Sequence, residues 1–582
     1  TPGRTAMKVL LSYEKWLESA GPERQRDLAV LRLTGFFDRP ASADCLAALR
    51  RWKFPGFLQR LISRKWRQVH HVFGPLASLT DREWTAALSD LETLDLIIRG
   101  PGPDILAACE GATVDAHPLV REYFARQLTT NQPEAFRAGH SRLFDHLCET
   151  TEYRPDTLAG LQPLYQAVTH GCLAGRQLEV FSKVYNDRIL RDAASYSTKK
   201  LGAIGANLGA VAAFFEGTSW DRLTPGLLAP VQGWLLNEAA LCLRALGRLN
   251  EALGPMRAGL AMAEQAEDWK RAAIAAGNLG ELELTLGRLG EAVADGRRAV
   301  EFADRSGDAF LKLRNRTMTA EALHARSALG DHSDTAADPT LGHLGVAERT
   351  EAERLFAEAE RMQAERQPRY PLLCSLWGFR YVDLLLVPAE RAAWRGVVRR
   401  HAGVTEEGSS NSQAGENPRP AAFAACAEAE RRASQTLDWA IRSDGLLDIA
   451  LDHLTLARAR LYRALLEAPS LPCSSLVIAD CETALARLRE ANMIDFLPKA
   501  LLTTALHSGA LLGDRPAAER FLDEARLIAE RGPMSLYLAD VFLHRARLFG
   551  DRSALNEAGV LIEKVGYGRR REELADTRAA LA

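Results

Sequence analysis

Apolar residues recur at helical spacing along most of the chain, and from residue 231 onward the pattern repeats itself. Two stretches, Trp234–Ala263 and Ala276–Ala303, each contain an apolar helix, a glycine-containing turn and a second helix. Both carry the pattern LGRLxEA, and their turn glycines, Gly247 and Gly287, are 40 residues apart. Neither helix of such a pair can bury its apolar face alone, so neighbouring pairs must stack. We therefore expect a helical array in which each glycine ends a helix in the left-handed conformation.

Small residues at Ala252, Gly259, Ala292 and Ala299 allow the two helices of a pair to approach closely. The unit resembles the tetratricopeptide repeat in a 40-residue form. The same rhythm predicts further pairs at 318–330 with 351–365, 372–386 with 389–400, 449–466 with 475–491, 497–512 with 516–531, and 534–549 with 553–565. The intervening residues 330–350 are expected to form a surface insertion. Residues 403–420 contain too little apolar surface to pack and are expected to form a disordered loop.

The first 150 residues follow a different pattern. Helices are predicted at Pro22–Gly35 and Ala41–Arg50, and an amphipathic helix at Thr80–Leu94 begins with a capping box, Thr80 with Glu83. Short strands are predicted at 96–99 and 113–116, and a further helix begins at Pro118. Three helices, a two-stranded wing and a following helix predict a winged-helix domain. Residues 151–230 are predicted to be mostly helical.

Composition and charge exclude several classes of protein. Apolar residues make up 47% of the chain and charged residues 25%, which excludes a wholly disordered chain. A net charge of −2 argues against a generic binder of polyanions. The longest apolar stretch, Leu201–Phe215, is shorter than the roughly 20 residues that a membrane span needs, so we expect a buried helix there and no membrane association.

Cysteine and histidine spacing gives no sign of a metal site. The 9 cysteines form no CxxC motif and suggest the reduced thiols of a cytoplasmic protein. His70 and His71 are adjacent, so on a helix they point in different directions and make poor co-ligands. We also find no GxSxG and no GxGxxG after a predicted strand. We therefore expect no metal ion and no intrinsic catalysis in this chain.

Three segments carry a family resemblance: LAVLRLTGFFDRPASADCLAALR (28–50), LTDREWTAALSDLETLDLI (79–97) and VDAHPLVREYFARQL (114–128). They resemble the winged-helix domain of STAND-class signalling ATPases, the group that contains the NB-ARC proteins. The repeats are similar to the tetratricopeptide sensor region of bacterial proteins of this kind. The resemblance covers most of the chain. It implies a mainly α protein in which an N-terminal winged-helix domain precedes a tetratricopeptide-like α-solenoid superhelix.

The resemblance also implies a role for His117. In the family a strand ends in Met-His-Asp, and the histidine reaches the β-phosphate of ADP and holds the protein closed. His117 occupies that place, with Ala116 and Pro118 in place of the neighbouring Met and Asp. The alternative is that His117 only caps the helix that follows it.

The chain lacks the phosphate-binding loop that such an ATPase needs, because it contains no Gly-Lys dipeptide. We expect that the nucleotide-binding domain, and any effector before it, precedes Thr1. ADP or ATP would then bind the longer protein, and no cofactor would bind this chain.

A basic, aromatic stretch lies at Arg50–His71, RRWKFPGFLQRLISRKWRQVHH. Interleaved tryptophans and cations can bind nucleic acid through phosphate neutralisation. The favoured interpretation is a surface that docks against the missing ATPase core, and nucleic acid is the disfavoured partner. The basic residues of this patch are Arg50, Arg51, Lys53, Arg60, Arg64, Lys65 and Arg67.

The first helix of each repeat pair is predicted to line a concave surface. Asparagine on such a helix can pair with the backbone of any peptide. Alternatively, many of these side chains simply pack against adjacent helices. The candidate partner-binding residues are Trp234, Asn237, Leu241, Arg244, Ile274, Asn278 and Glu281.

These patterns favour a non-enzymatic sensor and regulatory region of a STAND-type ATPase. The resemblance implies that the repeats bind a protein or peptide trigger and that the winged helix relays that event to the upstream ATPase and releases homo-oligomerisation, in the setting of bacterial anti-phage defence. A transcriptional regulator with a DNA-binding winged helix and ligand-sensing repeats is one alternative, and a plain interaction scaffold is another.

The expected organisation has six parts. They are a trailing helix of an upstream helical subdomain (1–20), the winged-helix domain (21–150), a helical linker (151–230), repeats (231–402), the disordered loop (403–420), and further repeats with a capping helix (421–582).

Overall fold

The computed structural model describes residues 2–52, 54, 63–100, 113–327, 339–401, 419–443, 445–467, 471–491 and 493–582. The described chain is mainly helical and divides into two units, residues 1–229 (the N-terminal unit) and residues 230–582 (the repeat unit). Among the described helices, none is both long enough and apolar enough to cross a membrane. The expected loop at 403–420 falls almost wholly on residues 402–418, which lie outside the described ranges.

The N-terminal unit contains three short strands among its helices. Its elements are α1 (Pro2–Ser19), α2 (Pro22–Arg32), β1 (Ala41–Ser42), α3 (Ala43–Arg50), α4 (Arg64–Ala77), α5 (Asp81–Thr93), β2 (Ile98–Gly100), β3 (Thr113–Asp115), α6 (Pro118–Asn131), α7 (Pro133–Thr150), α8 (Leu158–Leu173), α9 (Gln177–Val180), α10 (Tyr196–Lys199) and α11 (Ile204–Ala212). A 3₁₀ turn (Leu33–Phe36) follows α2, and a π-helical stretch (Phe181–Leu190) follows α9.

The three strands form one antiparallel sheet in the order β1-β3-β2. Val114 in the central strand pairs with Ala41 on one side and Arg99 on the other. The sequence pattern predicted β2 and β3 but assigned residues 41–42 to the helix that follows. The structure corrects that assignment, because β3 offers Ala41 and Ser42 a backbone partner that no local pattern could indicate.

The predicted capping box at the start of α5 is confirmed. The Glu83 amide donates to Thr80 Oγ1 at 3.3 Å, and the Thr80 amide donates to Glu83 Oε2 at 2.8 Å. These two bonds satisfy amides that the first turn of a helix otherwise leaves unpaired. The start of α5 is therefore fixed by its own sequence.

A pair of buried histidines lies in the core of the N-terminal unit. His140 of α7 and His170 of α8 share a 2.9 Å hydrogen bond between their Nδ1 atoms. Phe36 and Phe136 pack edge-on against His140. Burial lowers the pKa of His170 to about 4, and it lowers the pKa of His140 well below the ordinary value. Both rings are therefore neutral at pH 7.

The repeat unit is a solenoid-like stack of antiparallel helices. They are α12 (Ala229–Ala245), α13 (Leu249–Gln265), α14 (Trp269–Thr285), α15 (Leu289–Ser306), α16 (Ala309–Arg326), α17 (Pro339–Arg366), α18 (Ser375–Leu385), α19 (Val387–His401), α20 (Arg419–Ser443), α21 (Leu446–Leu466), α22 (Leu471–Glu490), α23 (Leu497–Leu506), α24 (Arg515–Arg531), α25 (Ser535–Phe549), α26 (Arg552–Val565) and α27 (Arg571–Leu581). The C-terminal turn, Gly568–Arg570, is a 3₁₀ turn between α26 and α27.

The predicted glycine turns are confirmed in the first two pairs. Gly247 and Gly287 have φ of 73° and 77°, in the left-handed region that favours glycine. Close helix approach is also confirmed, because a Cβ at Gly280 would lie 3.2 Å from the Ala292 carbonyl oxygen. The expected surface insertion at 330–350 differs from the structure. Residues 339–350 are helical and form the beginning of α17, while residues 328–338 lie outside the described ranges.

The C-terminal segment returns to the earlier helices of the repeat unit. A Cβ at Gly568 in the C-terminal turn would lie 2.1 Å from the carbonyl oxygen of Arg326 at the end of α16, so only glycine fits there. On α27, Asp576 accepts hydrogen bonds from Arg391 and Arg395 of α19 at 2.8–3.0 Å. The last elements therefore close the stack against its third and fourth pairs.

The buried histidine pair predicts acid sensitivity of the N-terminal unit. The pKa of His170 is about 4 in the fold, below the 6.5 of an exposed histidine, so its stabilisation is present above pH 6.5 and is lost as the pH falls toward 4. We expect His170→Gln to reduce this pH dependence of the free energy of unfolding by up to about 1.4 kcal/mol per pH unit. Urea denaturation between pH 7.5 and pH 4.5 measures the pH dependence of the free energy of unfolding for the wild type and for His170→Gln. An equal pH dependence in the two proteins would contradict the lowered pKa of His170.

Candidate functional site

The first helices of successive pairs turn charged side chains toward one interior of the repeat unit. Together with the C-terminal turn, helices α12, α14, α16, α18, α23 and α25 surround a cavity of about 100 Å³. The polar residues on its wall are Arg244, Glu281, Thr285, Glu321, His324, Arg380, Asp383, Asp495, Lys499, Tyr537, Asp540, Tyr567 and Arg569. Charged side chains that are largely shielded from water are costly unless they are paired.

One half of this wall is a chain of ion pairs that starts on α12. Arg244 contacts Glu281 of α14 at 3.0 Å and Asp495, just before α23, at 2.9 Å. Glu281 also accepts from Arg380 of α18 at 2.5 Å, and Arg380 Nε lies 2.5 Å from Glu321 of α16. Four helices and the segment before α23 thus meet through five side chains.

The other half is centred on Asp383 of α18. Its carboxylate contacts Arg458 of α21 at 2.6 Å and Lys499 of α23 at 3.1 Å, and it also pairs with Arg569 of the C-terminal turn. Arg569 reaches Glu390 of α19 at 2.8 Å. The two halves together are called the interior charge network, which further includes Asp540, Arg547, Arg570 and Glu573.

The network shifts the pKa of its members in opposite directions. Burial alone would raise the pKa of Glu281 and Asp383, but the neighbouring cations, arginines for Glu281 and Arg569 with Lys499 for Asp383, outweigh it and hold both values below the ordinary range. Burial raises the pKa of Glu321, and Arg380 only partly offsets it. Burial also lowers the pKa of Lys499, with Arg458 and Arg569 adding to the effect. Glu321 and Lys499 are therefore the least stabilised charges of the network.

Two of the predicted partner-binding residues, Arg244 and Glu281, line this interior. Arg244 and Glu281 belong to the interior charge network. Asn278 donates to Asn237 at 3.3 Å and accepts from Arg314, so both amides are engaged within the protein. The remaining members of the predicted set differ in burial: Leu241 is 42% exposed, and Trp234 and Ile274 are half-buried.

Sequence reasoning missed most of the interior charge network. Arg380 and Asp383 lie in the apolar helix sequence SLWGFRYVDLL, and Lys499 lies in LPKALLTTAL. Isolated charges within apolar helices could have indicated buried, paired groups. Their partners lie on other helices, however, and no local pattern identifies them.

In the N-terminal unit, His117 caps a helix. It is the residue before α6, and its exposed ring accepts a 3.2 Å hydrogen bond at Nδ1 from the Leu119 amide. Pro118 is the first residue of that helix, where its missing N–H costs nothing. The local geometry therefore accounts for a histidine at this position as a cap.

The predicted basic patch is only partly assembled. Arg50 binds Asp81 at 2.7 Å and lies over the ring of Trp84, while Trp52 stacks on Phe73 with ring centroids 4.4 Å apart. These side chains serve the packing of the unit itself. Arg51 and three residues of α4 are exposed, namely Arg64, Lys65 and Arg67, whereas Lys53 and Arg60 lie outside the described residues.

Three possible metal ligands also meet in the N-terminal unit. The ligand atoms of Asp44, Cys45 and His146 lie within 4.8 Å of one another, and His146 Nε2 is 3.0 Å from Asp44 Oδ2. Burial raises the pKa of Cys45 to about 11, so its thiol is protonated at neutral pH. A metal ion there would have to displace that proton. The histidine–carboxylate hydrogen bond accounts for the arrangement without an ion.

Removing one charge from the network should destabilise the repeat unit. Glu281→Gln leaves Arg244 and Arg380 without their shared carboxylate, and we expect a loss of about 3 kcal/mol in the free energy of unfolding. The matched control is Glu530→Gln, which breaks the exposed pair with Arg526 at 2.7 Å and should cost less than about 0.5 kcal/mol. Urea denaturation measures both, and equal losses would show that the network does not hold the helices together.

No protein-family model matches this chain, and no curated protein matches it either. One similar solved structure is a STAND protein, a signal transduction ATPase with numerous domains, with a tetratricopeptide repeat sensor from Pyrococcus horikoshii. The alignment covers 96% of this chain and 65% of that chain, with 12% sequence identity and a TM-score of 0.28. A TM-score this low does not establish a shared fold.

Proposed function

We propose that this chain is the non-enzymatic sensor and regulatory region of a STAND-type signalling ATPase. The repeat unit binds a protein or peptide trigger, and the N-terminal unit relays that event to a nucleotide-binding domain on a longer chain. The observation that carries the proposal is the convergence of the inner helices on one charged interior. The inner helices share ion pairs, so a ligand that binds one of them can shift the conformational equilibrium of the whole array.

The trigger surface in this proposal is the exposed part of the inner face of α12. Trp234, Asn237, Leu241 and Arg244 follow one another at helical spacing on that face. Arg244 enters the interior charge network, whereas Leu241 is 42% exposed. A partner that contacts Leu241 would therefore touch the helix that also carries the first residue of the network.

The relay in this proposal is a winged-helix domain within the N-terminal unit. The order α2, β1, α3, α4, α5, β2, β3 contains the helix-strand-helix-helix-strand-strand order of a winged helix with one additional helix, and the antiparallel pairing of β2 with β3 supports a wing. His117 follows β3 directly and is exposed. In the longer protein we expect it to contact bound ADP, with opening followed by homo-oligomerisation in anti-phage defence.

Site-specific cross-linking tests the trigger surface. A photoreactive amino acid at position 241 should capture a trigger that the same group at position 560 does not, because Val560 lies on α26, a second helix of its pair, and is 66% exposed. The captured protein is then identified and purified. We expect Leu241→Arg to weaken its binding at least about tenfold and Val560→Arg to leave it unchanged. Capture that does not depend on position, or binding that Leu241→Arg leaves unchanged, would refute the proposed surface.

A DNA-binding regulator is the second candidate, favoured by the exposed side chains of Arg51, Arg64, Lys65 and Arg67. The association constant for duplex DNA is measured at several salt concentrations. Its logarithm falls with the logarithm of the salt concentration, by about 0.9 per phosphate contact. We expect weak, sequence-independent binding that vanishes near physiological salt. Tight, sequence-dependent binding that is lost when these four residues are changed to Glu would favour the regulator instead.

A further inference from the structure

The cavity of the repeat unit carries polar atoms that the interior charge network leaves unused. Arg380 and His324 are each 3% exposed and line the cavity. Arg380 Nη1 and both ring nitrogens of His324 have no hydrogen-bond partner among the described residues. Buried polar atoms in folded proteins are nearly always paired with protein groups or with a bound molecule. These atoms therefore point to an occupant of the cavity.

The size of the cavity limits that occupant. One water molecule needs about 10–15 Å³ of cavity volume, so a cavity of about 100 Å³ holds several waters or one small organic molecule. A folded peptide or a protein loop does not fit in this volume. The occupant is therefore different from the trigger proposed for the surface at Leu241.

The charges on the wall limit the ligand further. Five carboxylates and four cationic side chains line the cavity: Glu281, Glu321, Asp383, Asp495 and Asp540, with Arg244, Arg380, Lys499 and Arg569. The rest of the interior charge network adds two acids, Glu390 and Glu573, and three cations, Arg458, Arg547 and Arg570, which makes the charges equal in number. A ligand with a single charge would therefore bring in an uncompensated charge. A molecule that carries both signs adds no net charge and can pair with both kinds of side chain.

Apolar side chains complete the wall, namely Leu284, Ala325, Phe496 and Leu536. They suit the hydrocarbon part of a ligand whose charged groups meet the polar atoms. We propose that the cavity binds a small zwitterion with an aliphatic body, such as a free α-amino acid. Its carboxylate faces Arg380 and Lys499, and its ammonium group faces Glu321 and Asp495.

This inference does not rest on the proposed trigger or on the ATPase. A zwitterion bound between these four residues links the helices α16, α18 and α23 and the segment before α23. Because it binds the folded protein and not the unfolded chain, it should raise the melting temperature progressively as its concentration rises above its Kd. The repeat unit would then report on a metabolite as well as on a macromolecular partner.

Calorimetry and thermal unfolding of the full chain test the inference with a panel of small α-amino acids. The matched controls for L-alanine are propionate, which lacks the ammonium group, and ethylamine, which lacks the carboxylate. We expect saturable binding of at least one amino acid with a Kd below about 1 mM and a dose-dependent rise in melting temperature. Both single-charge controls should bind at least about tenfold more weakly. Absence of saturable binding by any amino acid, or equal binding of the controls, would overturn the proposal.

Two variants locate the site without removing a charge. Ala325→Met fills the cavity from its buried wall, and Thr285→Met fills it from a half-buried position on α14. The matched control is Ala275→Met, which is also half-buried on α14 but does not line the cavity. We expect both cavity variants to weaken binding at least about tenfold and the control to leave it unchanged. If Thr285→Met, folded by circular dichroism, bound as tightly as the control, the site would not be this cavity.

Discussion

The repeat unit depends on the pairing of buried arginines with buried carboxylates inside its stack of helices. Each of these charges would be expensive alone, and each becomes tolerable only when helices far apart in sequence bring its partner within about 3 Å. The pair Arg244–Asp495 joins residues 251 positions apart, and the C-terminal turn supplies Arg569 and Arg570 to acids on α18, α19 and α25. Opening the stack would expose all of these charges without their partners. The network therefore ties α12, through Glu281 and Arg380, and the C-terminal turn, through Asp383, to the same helix, α18.

This coupling gives a physical basis for the proposed signalling by the repeat unit. Apolar packing between neighbouring helices is local and can adjust pair by pair, as in other stacked arrays. The interior charge network, by contrast, connects α12 with α14, α18 and the segment before α23 through two acids, Glu281 and Asp495. A ligand that breaks or forms one ion pair therefore changes the electrostatic stabilisation of the neighbouring ion pairs. A surface on α12 and a cavity at the centre can influence each other through this chain of contacts.

Local sequence patterns predicted much of the helical architecture. Gly247 and Gly287 end helices in the left-handed conformation as expected, because no other residue adopts that conformation at so little cost. The capping box at Thr80 and Glu83 also formed as expected, since its two hydrogen bonds involve residues only three apart. The sequence-based prediction was wrong at Ala41–Ser42, which form a strand, and at residues 339–350, which are helical. A strand needs a distant partner, and polar residues such as those of α17 can be helical when a neighbouring helix supports them.

The sequence by itself determined a mainly helical protein with repeated helix pairs, because helical periodicity and glycine turns act over a few residues. It also placed Arg244, Asn237, Asn278 and Glu281 on inner helices. Only the tertiary structure decided that Arg244 and Glu281 meet each other and Arg380, and that Asn237 and Asn278 bond one another. Those contacts depend on the curvature of the whole stack, which is the sum of many small rotations between pairs. No single segment encodes that sum, so the cavity and its unpaired atoms emerge only when the stack closes.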